Sequence, residues 1–192
     1  MDGQLAQALA LQIDNRRVDL GRPIVVGISG YGGSGKSTLA RLLCEQIPDA
    51  VRMRGDDFLD PTRSHTRSSD WDGVERDRLV SQVLHPVREG RPGEFQRWDW
   101  DRGALSPFEP LPPAEVMIVD VIGLFHPVAL PAIDLAIWCD VDLDTATARG
   151  MLRDERLGRD HAALWREVWV PNERDFARNF APRERAEFLF GD

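Results

Sequence analysis

Short apolar runs alternate with amphipathic stretches along this 192-residue chain. The runs at 24–28, 116–119 and 135–139 are apolar throughout, a pattern typical of strands buried on both faces of a parallel sheet. The segments 50–54 and 187–190 are predicted as two further strands, the second at the edge of the sheet. Apolar residues at helical spacing predict a short N-terminal helix with Leu5, Leu9 and Ile13, and helices over 38–46, 77–84, 144–157 and 162–180.

This alternation of strands and helices predicts one α/β domain over residues 1–192, because no internal repeat or low-complexity linker divides the chain. The expected architecture is a doubly wound fold of three layers, α/β/α, whose middle layer is a mostly parallel five-stranded sheet. The segment 86–113 is rich in proline, glycine and aromatic residues, and is predicted to be irregular with a short hairpin. Ligands of such folds bind beyond the carboxyl ends of the strands, so a site is expected there.

The residues after the first strand match the pattern G-x-x-x-x-G-K-[ST] without a break. A buried strand precedes the match and a helical pattern follows it, which is the context that a phosphate-binding loop requires. Lys36 is the only lysine of the chain, and its compact ammonium reaches between phosphates where a planar guanidinium would be too bulky. We therefore expect a P-loop NTPase fold with ATP bound at the phosphate loop, 30–38. The predicted nucleotide-binding residues of this loop are Gly30, Gly32, Gly33, Ser34, Gly35, Lys36, Ser37 and Thr38, and Lys36 is also predicted to be catalytic.

Carboxylates follow the other predicted strands. Asp120 ends the third strand and, together with the hydroxyl of Ser37, is predicted to hold Mg²⁺ directly or through water. Asp56 follows the second strand and is preferred over Asp57 as the base that deprotonates an acceptor hydroxyl. Asp140 is expected to cap the next helix. The alternative for Asp56 and Asp120 is the ordinary role of a carboxylate in a turn or cap.

Arginines cluster between residues 149 and 160, the segment predicted to form a helical lid. Arg149 and Arg153 are one helical turn apart and share a face, and Arg159 follows. All three are predicted to contact nucleotide phosphates, and Arg153 is also predicted to be catalytic, because the cluster can neutralise developing charge and exclude water. The alternative is a solvated helix on which Asp154 and its acidic neighbours pair with these arginines.

The phosphoryl acceptor is predicted to bind within the segment 56–113. Tryptophan and aspartate in a loop near the carboxyl edge of a sheet can stack on a base or bind sugar hydroxyls. The alternative is packing onto the core, which the alternate positions of Trp98 and Trp100 favour slightly. The predicted substrate-binding residues are Asp56, Phe58, Asp70, Trp98, Asp99 and Arg102.

Four parts of the chain resemble the uridine kinase-like and pantothenate kinase-like small-molecule kinases of the P-loop superfamily. They are the phosphate loop with its strand, the residues 56–59, the apolar strand ending at Asp120, and the arginine pattern 147–160. The resemblance implies a kinase in which Asp56 acts as base toward the acceptor hydroxyl. The chain departs from this family where Asp120-Val121 replaces Glu-Gly, and the segment 95–102 is only loosely similar to the nucleoside-binding segment.

The charge and composition of the chain argue against several classes of partner and location. A net charge of −8 argues against nucleic acids and acidic membranes as partners. No apolar stretch approaches the roughly 20 residues of a membrane span, and the start lacks a basic signal-peptide region, so we expect a cytoplasmic protein. Cys44 and Cys139 are expected to be buried free thiols, and the four histidines lack metal-like spacing. The sequence does not distinguish a monomer from a homo-oligomer.

Together these features predict an ATP-dependent kinase that transfers the γ-phosphoryl group to a hydroxyl of a small molecule. A nucleoside is the first choice of acceptor, followed by pantothenate, glycerate or a sugar-like molecule. The alternative class is a nucleotide-dependent switch or accessory ATPase, since 120–123 fits D-x-x-G, although a chain with one lysine lacks the guanine-reading Asn-Lys-x-Asp. A third hypothesis is a degenerate relative that binds nucleotide without turnover, motivated by Asp120-Val121.

Overall fold

The centre of the computed structural model, which describes residues 2–191, is a five-stranded parallel sheet. Its strands, in chain order, are β1 (Ile24–Ser29), β2 (Ala50–Arg54), β3 (Val116–Asp120), β4 (Leu135–Cys139) and β5 (Phe188–Phe190). Their spatial order is β2-β3-β1-β4-β5, and every neighbouring pair is parallel. The predicted three-layer P-loop architecture with a five-stranded sheet is therefore confirmed.

Five helices flank the sheet in the described part of the chain. They are α1 (Asp2–Leu20), α2 (Lys36–Gln46), α3 (76–88), α4 (Leu143–Arg156) and α5 (162–180). The N-terminal helix is longer than predicted and ends at Leu20. Short 3₁₀ turns lie at Gly55–Phe58, Arg63–His65 and Leu130–Ala132.

Two helices contain a π-helical turn ahead of a proline. In α3 the π turn Val80–Leu84 precedes Pro86, and in α5 the π turn Trp165–Trp169 precedes Pro171. Proline lacks the N–H that an α-helix interior needs, and a local change of hydrogen-bond register accommodates the missing donor. The helix α3 consequently continues to Arg88, so the prediction of irregular structure from residue 86 was wrong by three residues.

The two faces of the sheet bury separate hydrophobic clusters. Alternate residues of β1 divide between them, with Ile24, Val26 and Ile28 facing α1 and α2, and Val25 facing α3 and α5. Every residue of β1, β3 and β4 is buried. This explains why these three strands lack the alternation of an exposed sheet and could be recognised as apolar runs.

The segment between α3 and β3 forms two small antiparallel pairs. Glu94–Phe95 pairs with Glu109–Pro110, and Trp98–Asp99 pairs with Ala104–Leu105. The predicted short hairpin is confirmed. Its inner pair packs near the Gly55–Phe58 turn that follows β2.

Strand register places the carboxyl ends of the central strands side by side. Ile28 is paired with Asp120 across β1 and β3, and Arg54 is paired with Asp120 across β2 and β3. The phosphate loop leaves β1 at this edge, where its neighbours β3 and β4 lie on opposite sides. Such an edge is where ligands bind in open α/β sheets. No helix among the described residues is both long and apolar enough to cross a membrane.

Candidate functional site

The phosphate loop is closely packed against α4. Gly33 has φ 87°, and a Cβ there would lie 2.1 Å from the carbonyl oxygen of Ala146 and 2.8 Å from the amide of Gly150. Gly35, with φ 97°, precedes α2 and gives the loop its last turn. A side chain at Gly33 would clash with the backbone of α4, so glycine is required there.

Lys36 is the first residue of α2, and its ammonium points back into the loop. Its Nζ donates hydrogen bonds to the carbonyl oxygens of Gly30 at 2.9 Å and Tyr31 at 2.8 Å. Burial lowers the pKa of Lys36, and the carboxylates of Glu173, Asp56 and Asp120 act against that lowering. The lysine is thus held inside the loop at the position where an anion would sit.

Ser37 and Asp120, the predicted metal-binding pair, are in direct contact. The Ser37 hydroxyl donates to Asp120 Oδ2 at 2.7 Å. Asp120 is 4% exposed and also accepts two hydrogen bonds from Arg52, at 2.6 and 2.8 Å. Arg52 was missed by the sequence reasoning. The ion pair raises the pKa of the Arg52 guanidinium.

This hydroxyl and carboxylate fit an ion that takes its remaining ligands from phosphate oxygens and water, as Mg²⁺ does. The described residues contain no group of three or more His, Cys, Asp or Glu side chains placed to hold a metal. Because Arg52 engages both oxygens of Asp120, contact between this carboxylate and a metal requires an intervening water or a change of partner by Arg52.

The two aspartates after β2 differ in environment. Asp56 is exposed, and its charge acts on both Lys36 and Arg52. Asp57 is buried, and burial raises the pKa of its carboxyl group. The structure therefore brings Asp56 to the edge that carries Lys36, while Asp57 turns away from water.

The predicted lid arginines are exposed on α4 and on the turn after it. Asp154, only 3% exposed at its side chain, accepts two hydrogen bonds from Arg153 and lies 3.9 Å from Arg159. It also accepts from Trp165 Nε1 at 2.9 Å. Although burial raises the pKa of Asp154, the hydrogen bonds from Trp165 and Arg153 bring it below its ordinary value. The acidic pairing raised as an alternative thus occurs at Asp154, where it also ties α4 to α5.

The predicted acceptor residues lie in different surroundings. Phe58 is 0% exposed and stacks on Phe95 beneath the Arg78 guanidinium, so it is part of the core. Asp99 accepts hydrogen bonds from the backbone of 101 and 102, which makes it a turn residue of the hairpin. Trp98 is half-buried against the exposed Trp100. Of the remaining predicted acceptor residues, Asp70 accepts a hydrogen bond from the Ser68 hydroxyl, and Arg102 extends into solvent.

Glu173 of α5 is the second residue that the sequence reasoning missed. Its Oε1 accepts a hydrogen bond from the amide of Gly32 in the phosphate loop at 2.7 Å, and it is 4% exposed. Burial raises its pKa to about 7, and Lys36 and the Gly32 amide act in the opposite direction. A sequence signal existed, because Glu173 follows Trp169 by four residues and precedes Phe176 by three, which puts an acid on the apolar stripe of a helix.

The chain is similar in sequence to uridine kinases. It is 29% identical to uridine kinase-like protein 3 of Arabidopsis thaliana over 157 residues, which cover 75% of this chain and 34% of that protein. It is 29% identical to the uridine kinase of Alkaliphilus metalliredigens over 151 residues, 73% of each chain. The match thus spans about a third of the plant protein. No family model matches the chain.

Solved structures share its fold. A candidate fructose transport system kinase from Silicibacter sp. TM1040 aligns with a TM-score of 0.76 at 21% identity, over 96% of this chain and 98% of that one. A candidate uridine kinase from Bacillus stearothermophilus aligns with a TM-score of 0.66 at 17% identity, over 88% and 89%. The resemblance to uridine kinase-like P-loop kinases, inferred above from motifs, is therefore confirmed.

Proposed function

We propose that this chain is an ATP-dependent kinase that transfers the γ-phosphoryl group to a hydroxyl of a small molecule. The observation that carries the proposal is the meeting of Lys36, Ser37 and Asp120 at the carboxyl edge of the sheet. Phosphoryl transfer needs mainly positioning and electrostatic stabilisation, and these residues supply a cation, a hydroxyl and a carboxylate at one phosphate loop. The sequence similarity to uridine kinases supports the same reaction class.

In this proposal the loop amides and Lys36 hold the β- and γ-phosphates, and Ser37 and Asp120 hold Mg²⁺. Mg²⁺ held by these two residues would neutralise charge on the phosphates. Asp56 accepts the proton of the acceptor hydroxyl as that oxygen attacks the γ-phosphorus, and ADP leaves. Arg149, Arg153 and Arg159 of the lid contact the transferring phosphate and exclude water from it.

The first choice of acceptor is a nucleoside, because the relatives of similar sequence are named uridine kinases. A sugar-like acceptor is the second candidate, and the fold neighbour described as a fructose transport system kinase supports testing it. Phe58, a predicted acceptor residue, lies in the core and is not available to contact the acceptor.

The test is transfer of label from γ-labelled ATP with Mg²⁺ to a panel of nucleosides, sugars, pantothenate and glycerate. Label on one acceptor would support the proposal and identify the substrate. Label released only as free phosphate would favour the accessory ATPase, and absence of both products would favour a nucleotide-binding protein without turnover. A reaction without acceptor provides the background.

A further inference from the structure

Helix α5 packs directly on the phosphate loop. Two of its side chains, Trp165 and Glu173, enclose Gly32, where a Cβ would lie 2.8 Å from the Trp165 ring and 3.2 Å from Glu173 Oε1. The Gly32 amide donates to this oxygen at 2.7 Å. The position of the loop backbone therefore depends on one carboxylate from a helix that is distant in sequence.

Glu173 is too enclosed to touch a substrate. It is 4% exposed, and the cavity beside it has a volume of about 10 Å³, room for about one water molecule. A nucleoside or a sugar does not fit there. Glu173 can therefore act on a bound nucleotide only through the loop that it holds and through its charge.

That charge is poorly stabilised. Oε2 is buried without a hydrogen-bond partner among residues 2–191, and burial disfavours the ionised form. Burial raises the pKa of Glu173 to about 7, although Lys36 and the Gly32 amide act in the opposite direction. The carboxyl group is therefore about half ionised near neutral pH.

Lys36 is the cation that balances Glu173. Among the carboxylates that act on Lys36, Glu173 has the largest effect. The neutral Tyr31 hydroxyl of the loop is the other titratable group that faces Glu173 in the described part of the chain, and burial raises its pKa. The remaining side chains that line the cavity beside Glu173 are not ionisable, namely Trp71, Ile122, Trp138 and Phe176.

The phosphates of a nucleotide would compete for the same cation. Lys36 points into the loop at the position where an anion would sit, so bound phosphates would bring negative charge close to Glu173. A nearby like charge disfavours a carboxylate and raises its pKa. A protonated Glu173 still has an acceptor oxygen for the Gly32 amide, so the loop contact survives the change.

We propose that Glu173 is a positioning residue of the phosphate loop and that it gains a proton from solvent when a nucleoside triphosphate binds. It holds the Gly32 amide in both protonation states, and the proton removes its repulsion of the phosphates. Nucleotide affinity should therefore fall as pH rises above 7. This inference rests on the proposed kinase function for its ligand, but its test needs only nucleotide binding.

Calorimetric titration with a nonhydrolysable ATP analogue and Mg²⁺, repeated in buffers of different ionisation enthalpy, measures affinity and proton uptake together. Glu173→Gln keeps an acceptor for Gly32 but cannot titrate, and Glu167→Gln is an exposed control on the same helix. All three proteins retain Lys36, so protons exchanged by this lysine or by the analogue are removed in the comparison.

At pH 7.5 the wild type and the control should take up to about 0.7 proton more per bound analogue than Glu173→Gln. From pH 6 to pH 8 their affinity relative to Glu173→Gln should fall by up to about tenfold. A role in folding alone would leave this ratio constant.

Glu173→Ala tests the positioning role. At pH 6, where wild type and Glu173→Gln should bind alike, we expect Glu173→Ala to bind the analogue about tenfold more weakly, because the Gly32 amide loses its partner. Glu173→Gln thus serves as the rescue by a conservative substitution.

Equal proton uptake by wild type and Glu173→Gln, or a constant ratio of their affinities from pH 6 to pH 8, would overturn the coupling. Equal binding by Glu173→Ala and Glu173→Gln at pH 6 would overturn the positioning role. Phosphoryl transfer measured on the same preparations separates this inference from the kinase. Proton-linked binding without transfer would keep the coupling and remove the kinase, and transfer with a constant affinity ratio would do the reverse.

Discussion

At the scale of single residues, Lys36 combines a cost in stability, from its buried ammonium, with the phosphate contact on which the proposed activity depends. Its ammonium is desolvated and donates hydrogen bonds to two loop carbonyl oxygens. We expect Lys36→Ala to lower kcat of phosphoryl transfer by about 100- to 1000-fold, the range for removing a group that stabilises developing charge. Because the ammonium is buried at a cost, the melting temperature should not fall. Circular dichroism melts alongside the kinetics would check this, and retained activity would contradict the assignment of the loop.

Glu173 gives a stability prediction that does not depend on catalysis. Its pKa is about 7 in the folded protein against an ordinary 4.5, so the folded state holds this proton more tightly than the unfolded chain. Its contribution to stability is therefore lost as pH rises from about 4.5 through 7. Glu173→Gln removes this loss, so relative to wild type the variant should gain about 2 to 3 kcal/mol in free energy of unfolding between pH 5 and 8.

Urea unfolding at several pH values would measure this difference. The exposed Glu167→Gln variant should follow the wild type at every pH. The titratable groups facing Glu173 are the Lys36 ammonium from α2 and the neutral Tyr31 hydroxyl from the loop. If Glu173→Gln and wild type had parallel pH profiles, Lys36 would be keeping the carboxylate ionised throughout.

Single residues also show where sequence reasoning stops. Lys36, Ser37 and Asp120 could be predicted as one group, because a motif and the end of an apolar strand mark the same sheet edge. The pairing of Arg52 with Asp120 could not, because it depends on the register of β2 against β3 and on which neighbour Asp120 has. Glu173 is separated from the loop by more than 130 residues, so its contact with Gly32 depends on tertiary packing of α5.

At the scale of elements, Asp154 joins α4, which carries the predicted lid arginines, to α5. It is on α4, accepts from Trp165 of α5, and pairs with Arg153. We expect Asp154→Asn to lower kcat by roughly tenfold through a misplaced Arg153, and to destabilise the fold by about 1 to 3 kcal/mol, since buried partners lose a charged acceptor.

Glu155→Gln is the matched control, because Glu155 is exposed on the same helix. Steady-state kinetics and thermal unfolding of both variants would check the prediction. A stable Asp154→Asn variant with unchanged kcat would indicate that the predicted lid arginines form only surface ion pairs.

Element boundaries were predictable where burial is uniform and less so where proline intervenes. The strands β1, β3 and β4 are buried along their whole length, and their apolar runs marked them. The end of α3 was misjudged because Pro86 is normally a helix terminator, and the π turn that accommodates it leaves no mark in the hydrophobic pattern. The hairpin was predicted from composition, but the role of Asp99 was not, since Asp99 accepts hydrogen bonds from two backbone amides of the hairpin turn.

At the scale of the whole molecule, ligand binding should raise the free energy of unfolding, and the size of the increase should show whether Mg²⁺ is bound. A ligand that binds only the folded state at 100 times its Kd adds about 2.7 kcal/mol to the free energy of unfolding. A nonhydrolysable ATP analogue should therefore raise the melting temperature, and Mg²⁺ should raise it further if Ser37 and Asp120 hold the ion. Asp120→Asn should lose that further increment, because a neutral amide is a weaker ligand for Mg²⁺ than a carboxylate.

Asp120→Asn also leaves Arg52 without its carboxylate, so a lower starting stability is expected whatever the metal does. Asp134→Asn separates these effects. Asp134 is a buried carboxylate paired with Arg22 and Arg88, just before β4 at the opposite edge of the sheet. Both variants should melt at lower temperature without ligand, but only Asp134→Asn should keep the increment caused by Mg²⁺. If Asp120→Asn kept it too, the ion would be bound through the phosphates alone, and the Arg52 contact would be the main role of Asp120.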